Sequence, residues 1–230
     1  SNAEIGRLHL DSDEHKIAKQ FIKNSDIYSF GVKFTNDKLL YLRWEDNINK
    51  YINIKKHLSR FKEILEDQQN RYGETYPWFA LHRPRKQNIF ESEKILVPYR
   101  SNQNIFGYAN YPLYSSRDVF FITKRDNSIS LKYILALLNS KLYYIWLYHR
   151  GKRKGETLEL YQKPLSEVPI KKISESEQNP FIEIVDKILT ITKSGDYLEN
   201  PEKQAQVKEY EKQIDQTVYK LYDLTDDEIE

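Results

Sequence analysis

Cations interleaved with rings are the chemistry-bearing feature of this chain. In YPWFALHRPRKQNIF (76–90), Arg83, Arg85 and Lys86 follow Trp78 and Phe79, and Pro84 keeps the segment out of a helix, so the basic side chains sit on an irregular loop. VPYRSNQN (97–104) ends an apolar run in Tyr99 and Arg100, then offers Asn102, Gln103 and Asn104. Arginine, asparagine and glutamine can hold purine edges with paired hydrogen bonds. YSSRD (114–118) adds Ser115, Ser116 and Arg117, two hydroxyls and a guanidinium suited to phosphate or base contacts. The densest cluster, HRGKRKG (149–155), sets Arg150, Lys152, Arg153 and Lys154 straight after the tyrosine-rich YYIWLY. A loop so charged has nothing to pack against, and several such loops make a surface that seeks phosphate. Duller explanations stand beside each: Trp78 and Phe79 as core, Arg117 paired with Asp118, 101–104 as a surface turn, and the cations near 150 complementing the negative end of a helix.

Composition narrows the field. The chain has 230 residues, enough for one large domain or two modest ones. Its net charge of +2 conceals an asymmetry: residues 1–172 carry 30 Lys+Arg against 19 Asp+Glu, whereas 173–230 carry 6 against 15. A basic body with an acidic tail nominates a polyanion partner for the body, although the acidic part reads equally well as solvated helices. Without cysteine there is no disulfide, thiolate metal site or thiol nucleophile. No apolar run is long enough to span a membrane. The seven glycines form no Gly-x-Gly turn for a dinucleotide or S-adenosylmethionine and no phosphate-binding loop. The Asn-Pro-Pro-aromatic tetrapeptide of amino-methyltransferases is missing too; NPFI (179–182) reads as a helix cap. Histidines 9, 15, 57, 82 and 149 lack metal spacing, and acid pairs such as Glu91 and Glu93 read as solvated surface.

The elements that must position these residues can be traced by period. Ser12 or Asp13 caps a short helix carrying Ile17, Phe21 and Ile22. IYSFGVKF (27–34) and KLLYLRW (38–44) read as a hairpin turning at Asn36-Asp37. Ile54, Leu58, Phe61, Leu65 and Tyr72 recur at helical spacing up to Gly73. Short β-rich runs fill 76–128, and Ser130 caps one long helix to Gly151. After the breaker-rich SESEQNP, two helices start at Asn-Pro, over about 180–193 and 200–222, and Thr225 to Glu228 forms a capping box. The fold class is therefore α+β: a β-rich central body with a long buried helix, then a helical C-terminal arm. Ser1-Asn2-Ala3 looks like the remnant of a cleaved tag, residues 4–172 the binding body, and 173–230 an acidic arm packing on or beside it.

These ordered features resemble a known family. Pro77-Trp78, the KIL strand (94–96) running into Tyr99-Arg100, Tyr114-Ser115-Ser116 before a strand, LLNSK (137–141) and LSEVPI (165–170) are together similar to the TaqI-like C-terminal specificity domain. The closing IDQTVYKLYDLTDDEIE is similar to the tails of such proteins, so the resemblance covers 24–230. It departs at the front, where NSDIYSFGV (24–32) stands in place of a Gly-Arg-Asp-Ile-like lead-in, which is where any contact by the first strand is least supported. What the resemblance implies is the target-recognition part of an adenine-specific DNA methyltransferase or type IIG restriction-modification enzyme, from a bacterial or archaeal cytoplasm. Its partners would be double-stranded DNA and an N-terminal methyltransferase domain of the same parent chain, with no membrane. S-adenosylmethionine, and Mg where the parent also cleaves, would bind in that missing part and none in this fragment.

The expectation is a DNA-reading module without catalytic residues or metal. Arg83, Arg85, Lys86 and Arg100 would work in or beside the major groove, Asn102 and Gln103 would read bases, Ser115, Ser116 and Arg117 would add contacts, and Arg150, Lys152, Arg153 and Lys154 would hold phosphates. The alternative is a protein-interaction module whose acidic arm docks a partner. An autonomous nuclease would want an acid cluster with a lysine, which is lacking.

Overall fold

The computed structural model describes residues 6–125 and 128–229, so Ser1-Asn2-Ala3 lies outside the described residues. In chain order the elements are α1 (Ser12–Ile17), β1 (Ala18–Ile22), β2 (Ile27–Tyr28), β3 (Gly31–Val32), β4 (Lys38–Leu40), α2 (Ile52–Ser59), α3 (Lys62–Tyr72) and α4 (Gln87–Glu91). There follow β5 (Lys94–Pro98), β6 (Arg100–Ser101), β7 (Gly107–Ala109), β8 (Tyr114–Ser115), β9 (Val119–Thr123), α5 (Leu131–Asn139) and α6 (Lys141–Arg150). The chain closes with β10 (Lys152–Lys154), β11 (Thr157–Glu159), α7 (Gln162–Ser166), α8 (Glu175–Thr192), α9 (Pro201–Leu221) and α10 (Asp226–Ile229). The class is α+β. Two compact units are interleaved along the chain: the described residues of Ser1–Ile22, Thr35–Glu91 and Pro112–Ser115 form one, and those of Lys23–Phe34, Ser92–Tyr111 and Ser116–Glu230 form the other.

In the first unit β1 is the middle strand, antiparallel to β4 and parallel to β8. Its small core gathers Leu42, Ile48 and Ile54, with Ile17 and Phe79 packed against it. Glu14 lies fully buried beneath. Its carboxylate accepts from the backbone of Asp11 at 3.1 Å, Asn53 at 2.6 Å and Ile54 at 3.0 Å, and from the Asn53 amide at 2.8 Å. It thus caps α1 and α2 together. Burial pushes its pKa up, and these donors, Asn53 foremost, bring it net below the ordinary value.

In the second unit β5 is the middle strand, antiparallel to β7 and β9, and all of its residues are buried, as a near-continuous apolar run such as KILVP demands. The core runs from Ile95, Val97 and Phe106 through Leu135 and Leu138 to Val185, Ile188, Val207, Ile214 and Val218. The apolar faces of α8 and α9 are therefore spent inside their own unit.

Several expectations are corrected. The first helix stops at Ile17, because Phe21 and Ile22 belong to β1 and pair with Tyr114 and Ser115. The segments 27–34 and 38–44 do not pair with each other. β2 and β3 close on themselves, Ile27 opposite Val32, while β4 finds its partner in β1. The 54–72 helix breaks at Arg60-Phe61, where amide bonds tighten to the third residue back, leaving Phe61 44% and Ile64 64% exposed. The long helix breaks at Ser140 into α5 and α6. Asn139 turns aside to bond Phe106 at both its amide and its carbonyl, and Asp215 of α9 caps α6 through the Lys141 amide at 2.8 Å. Finally, α8 starts at Glu175, not at Asn179: Ser174 and Glu177 form a capping box, and Pro180 sits inside the helix. Asn200 capping α9 with Pro201 behind it, Ser130 capping α5, and the Thr225–Glu228 bonds occur as read.

Candidate nucleic-acid interface

The cluster after the tyrosine-rich helix is a strand, not a loop. Lys152 to Lys154 form β10, which turns at Gly155-Glu156 and returns as β11. Gly155 has φ +61° at the first position of this two-residue turn, a conformation that glycine adopts without steric cost. β11 then pairs on its other edge with β6, Glu159 opposite Arg100 and Leu158 opposite Ser101. Because strand side chains alternate, Arg100, Glu159 and Lys152 form one row on one face, next to the row of Thr157 and Lys154. Two basic clusters some fifty residues apart in sequence thus meet in one small sheet.

Glu159 is the hinge of its electrostatics. Its side chain is only 6% exposed, while those of Arg100 and Lys152 are 44% and 59% exposed. One carboxylate oxygen, Oε1, accepts from Arg100 Nε at 3.1 Å and Nη2 at 2.7 Å; Oε2 faces Lys152 Nζ at 3.3 Å. The Arg100 guanidinium, and then Lys152, hold the Glu159 carboxyl below the usual range, and the same contact raises Arg100. Lys152 is raised by Tyr161 and then by Glu159. Rings support both cations: Arg100 lies 4.9 Å from the centre of Tyr99 and Lys152 5.1 Å from that of Tyr161. Arg153 stacks at 3.8 Å on Tyr148, whose hydroxyl donates to Glu156 at 3.2 Å. Lys154 and Arg150 are exposed.

The polar run after β6 divides. Asn102 and Gln103 are exposed, with the Asn102 side-chain oxygen accepting from the Thr157 hydroxyl at 3.2 Å. Asn104, expected beside them, turns inward, donating to Leu138 O at 2.7 Å and Ser140 O at 2.8 Å across the α5–α6 break. The neighbouring turn holds Ser116 and an exposed Arg117, and its Asp118 carbonyl accepts from the Tyr99 amide at 2.9 Å, which ties it to the start of β6. Asp118 takes the Ser116 hydroxyl at 3.4 Å, and among the described residues Arg117 has no carboxylate partner. Ser115 is buried in β8 of the other unit, at 7% exposure.

The first unit carries its own basic groove. Tyr41, Trp44, His82, Arg83, Arg85 and Lys86 line a cavity of about 540 Å³. Glu74 pairs with Arg83 and bonds His82 Nε2 at 2.9 Å, and both, Arg83 first, hold its carboxyl low. Arg85 is half-buried, which pushes its guanidinium pKa down, and Lys86 is exposed. Beside them Trp44 stacks on Tyr76 (5.6 Å), and His82 lies between Tyr76 (5.0 Å) and Tyr72 (4.0 Å). Phe79 and Trp78 are both half-buried; Phe79 packs against the small core, and Trp78 has Lys62 at 5.8 Å from its ring.

Glu159, Tyr148 and Tyr161 are the members that sequence reasoning passed over. A signal existed: KRK and TLE flank Gly155-Glu156, a two-residue spacing with glycine first, which reads as a tight hairpin turn.

The TaqI-like C-terminal specificity domain matches residues 19–170. The type II methyltransferase M.MjaIV of Methanocaldococcus jannaschii is 29% identical over 209 residues, 85% of this chain and 68% of that protein. M.HindII of Haemophilus influenzae, also a type II methyltransferase, is 29% identical over 138 residues, 56% of this chain but 26% of that protein. Among solved structures, the type IIL restriction-modification enzyme MmeI in complex with DNA shares the fold, with TM-score 0.63 and 18% identity over 97% of this chain and 30% of that one. This chain therefore spans under a third of M.HindII and of MmeI.

Proposed function

Because this chain belongs to the TaqI-like C-terminal specificity domain family, we propose that it reads double-stranded DNA for a parent enzyme and has no catalytic residues of its own. The observation that supports this is the β6–β11–β10 sheet, where Arg100 and Lys152 flank one buried carboxylate and Asn102, Gln103, Arg153 and Lys154 lie in or next to the same strands. Arg100, Asn102 and Gln103 would read base edges in the major groove, their side chains being of the types that make paired hydrogen bonds there. Arg150, Lys152, Arg153 and Lys154, with Ser116 and Arg117, suit phosphates. In the other unit, Arg83, Arg85 and Lys86 line a groove of the right charge; Ser115, being buried, is left out of the contact set.

The parent would be an adenine-specific DNA methyltransferase, also cleaving if it is of the type IIG kind. Its N-terminal methyltransferase domain would hold S-adenosylmethionine and turn the target adenine out of the duplex. The residues of this chain do not fit that cofactor, lacking any Gly-x-Gly turn. Nor do the described residues gather three His, Cys, Asp or Glu that could hold Mg. No helix among them is long and apolar enough to cross a membrane, and a bacterial or archaeal cytoplasm is the expected compartment. A protein-docking role for the acidic helices gains no separate support, since their apolar faces are buried in their own core.

Fluorescence anisotropy of the chain with a mixed-sequence duplex at low and moderate salt tests this. Affinity that falls steeply with salt is expected. Absence of binding at low salt, by this chain and by a longer parent alike, would overturn it.

A further inference from the structure

The geometry points to Glu159 as a positioning residue for base reading, one that holds Arg100 so that its outer edge is presented to a guanine. This rests on the DNA-reading function proposed above. A guanidinium offers five N–H donors in a planar fork. Here Nε and Nη2 are both directed at one Glu159 oxygen, which leaves Nη1 and the second Nη2 hydrogen, the end of the fork, turned away from the carboxylate. That end is the pair of donors a guanine O6 and N7 would take. Arg100 is otherwise fixed by its strand and by the ring of Tyr99 at 4.9 Å, so few rotamers remain to be lost on binding. Glu159 itself is 6% exposed and out of reach of DNA; its work is done through Arg100 and, at its other oxygen, through Lys152. A buried carboxylate facing two cations on a phosphate-seeking surface also lowers the attraction for DNA of any sequence. It sacrifices general affinity for a defined arginine pose.

That opposition of signs supplies the test. Wild type and Glu159→Gln, as the full 230-residue chain, are each used to select from a randomised duplex library, and affinities are then measured on the selected duplex and on an unrelated one. In Glu159→Gln the preference for guanine at one position should fall roughly five- to hundredfold, the range of one bidentate contact, with other positions kept. Affinity for the unrelated duplex should hold or rise, because one negative charge is gone; a merely structural defect would lower both. Arg100→Ala should erase the same position, and adding Glu159→Gln to it should cost no further discrimination. Wild type that selects a sequence, with an unchanged profile in Glu159→Gln, would overturn the positioning role alone. If neither this chain nor a longer parent binds any duplex, the positioning role falls together with the DNA-reading function; if only the parent binds, the same selection in the parent decides. Should Glu159→Gln fold poorly, by thermal melting, the Arg100 Nε–H signal in NMR decides: slow solvent exchange in wild type is expected, and exchange as fast as that of a free arginine overturns the contact.

Discussion

Neutralising Arg153 and Lys154 together should weaken binding to every DNA sequence alike. Arg153 and Lys154 on the β10–β11 hairpin, and Arg150 at the end of α6, have no carboxylate partner among the described residues, whereas Arg100 and Lys152 share Glu159; with Glu156 at the turn, this surface presents three net positive charges. Each phosphate contact contributes about 0.9 to the slope of log affinity against log salt, so Arg153→Gln with Lys154→Gln should flatten it by about 1.8. Taking the electrostatic contribution to vanish near 1 M, the same figure gives about sixty-fold weaker binding near 0.1 M salt. The fold should be nearly untouched, since only the exposed stacking of Arg153 on Tyr148 is lost, roughly 0.5–1 kcal/mol. The assay is anisotropy titration over a salt series, on a selected and an unrelated duplex, with thermal melts of both proteins. An unchanged slope in a variant that melts like wild type would refute the phosphate role. A loss confined to the selected duplex would move these two residues from phosphates to bases.

Glu14→Gln should destabilise the first unit by about 3 kcal/mol in denaturant melts, because the amide replaces one acceptor oxygen with a donor facing backbone N–H groups. Glu14's folded pKa is depressed, so its stabilisation is present above the unfolded value and is lost as pH falls through the folded one; the variant should lack that acid loss. Asp215 carries the opposite sign: burial raises its pKa, offset in part by the Lys141 amide it caps, and the stability it costs is incurred as pH rises through that raised value. Asp215→Asn keeps an acceptor for that amide and should stabilise at neutral pH, on the order of 1 kcal/mol, with the gain fading in acid. Gly155→Ala meets no atom within 4 Å but must hold φ +61°, so it should cost about 1 kcal/mol and loosen the hairpin, read as lower affinity with little change in global melting.

Much of the fold was legible wherever a local rule had no competitor. Asn200-Pro201 starts a helix because a capping side chain and a proline agree there. KILVP is a central strand because a run buried on both faces needs no alternation. At 174–180 two local rules disagreed, and the capping box of Ser174 and Glu177 prevailed: the helix starts there and carries Pro180 in its second turn, at the cost of one backbone hydrogen bond. Phe21 and Ile22 went the other way: a helical spacing gave way to a strand once Tyr114 and Ser115 were there to pair with them.

The candidate site shows the same division. Which side chains carry charge, and that they cluster at 83–86, at 100–103 and at 150–154, is read directly from the residues; the family resemblance rests on motifs such as Pro77-Trp78, LLNSK (137–141) and LSEVPI (165–170). That β11 joins two of these clusters, opposing Glu159 to Arg100 across nearly sixty residues, depended on backbone groups finding partners far along the chain. Inward orientation for Asn104 and outward for Asn102 likewise depended on the break at Ser140, where unpaired carbonyls needed a donor. Charge is a property of each residue, legible in isolation. Pose and pairing belong to contacts between distant residues, and only the tertiary structure decides which carboxylate a cation meets.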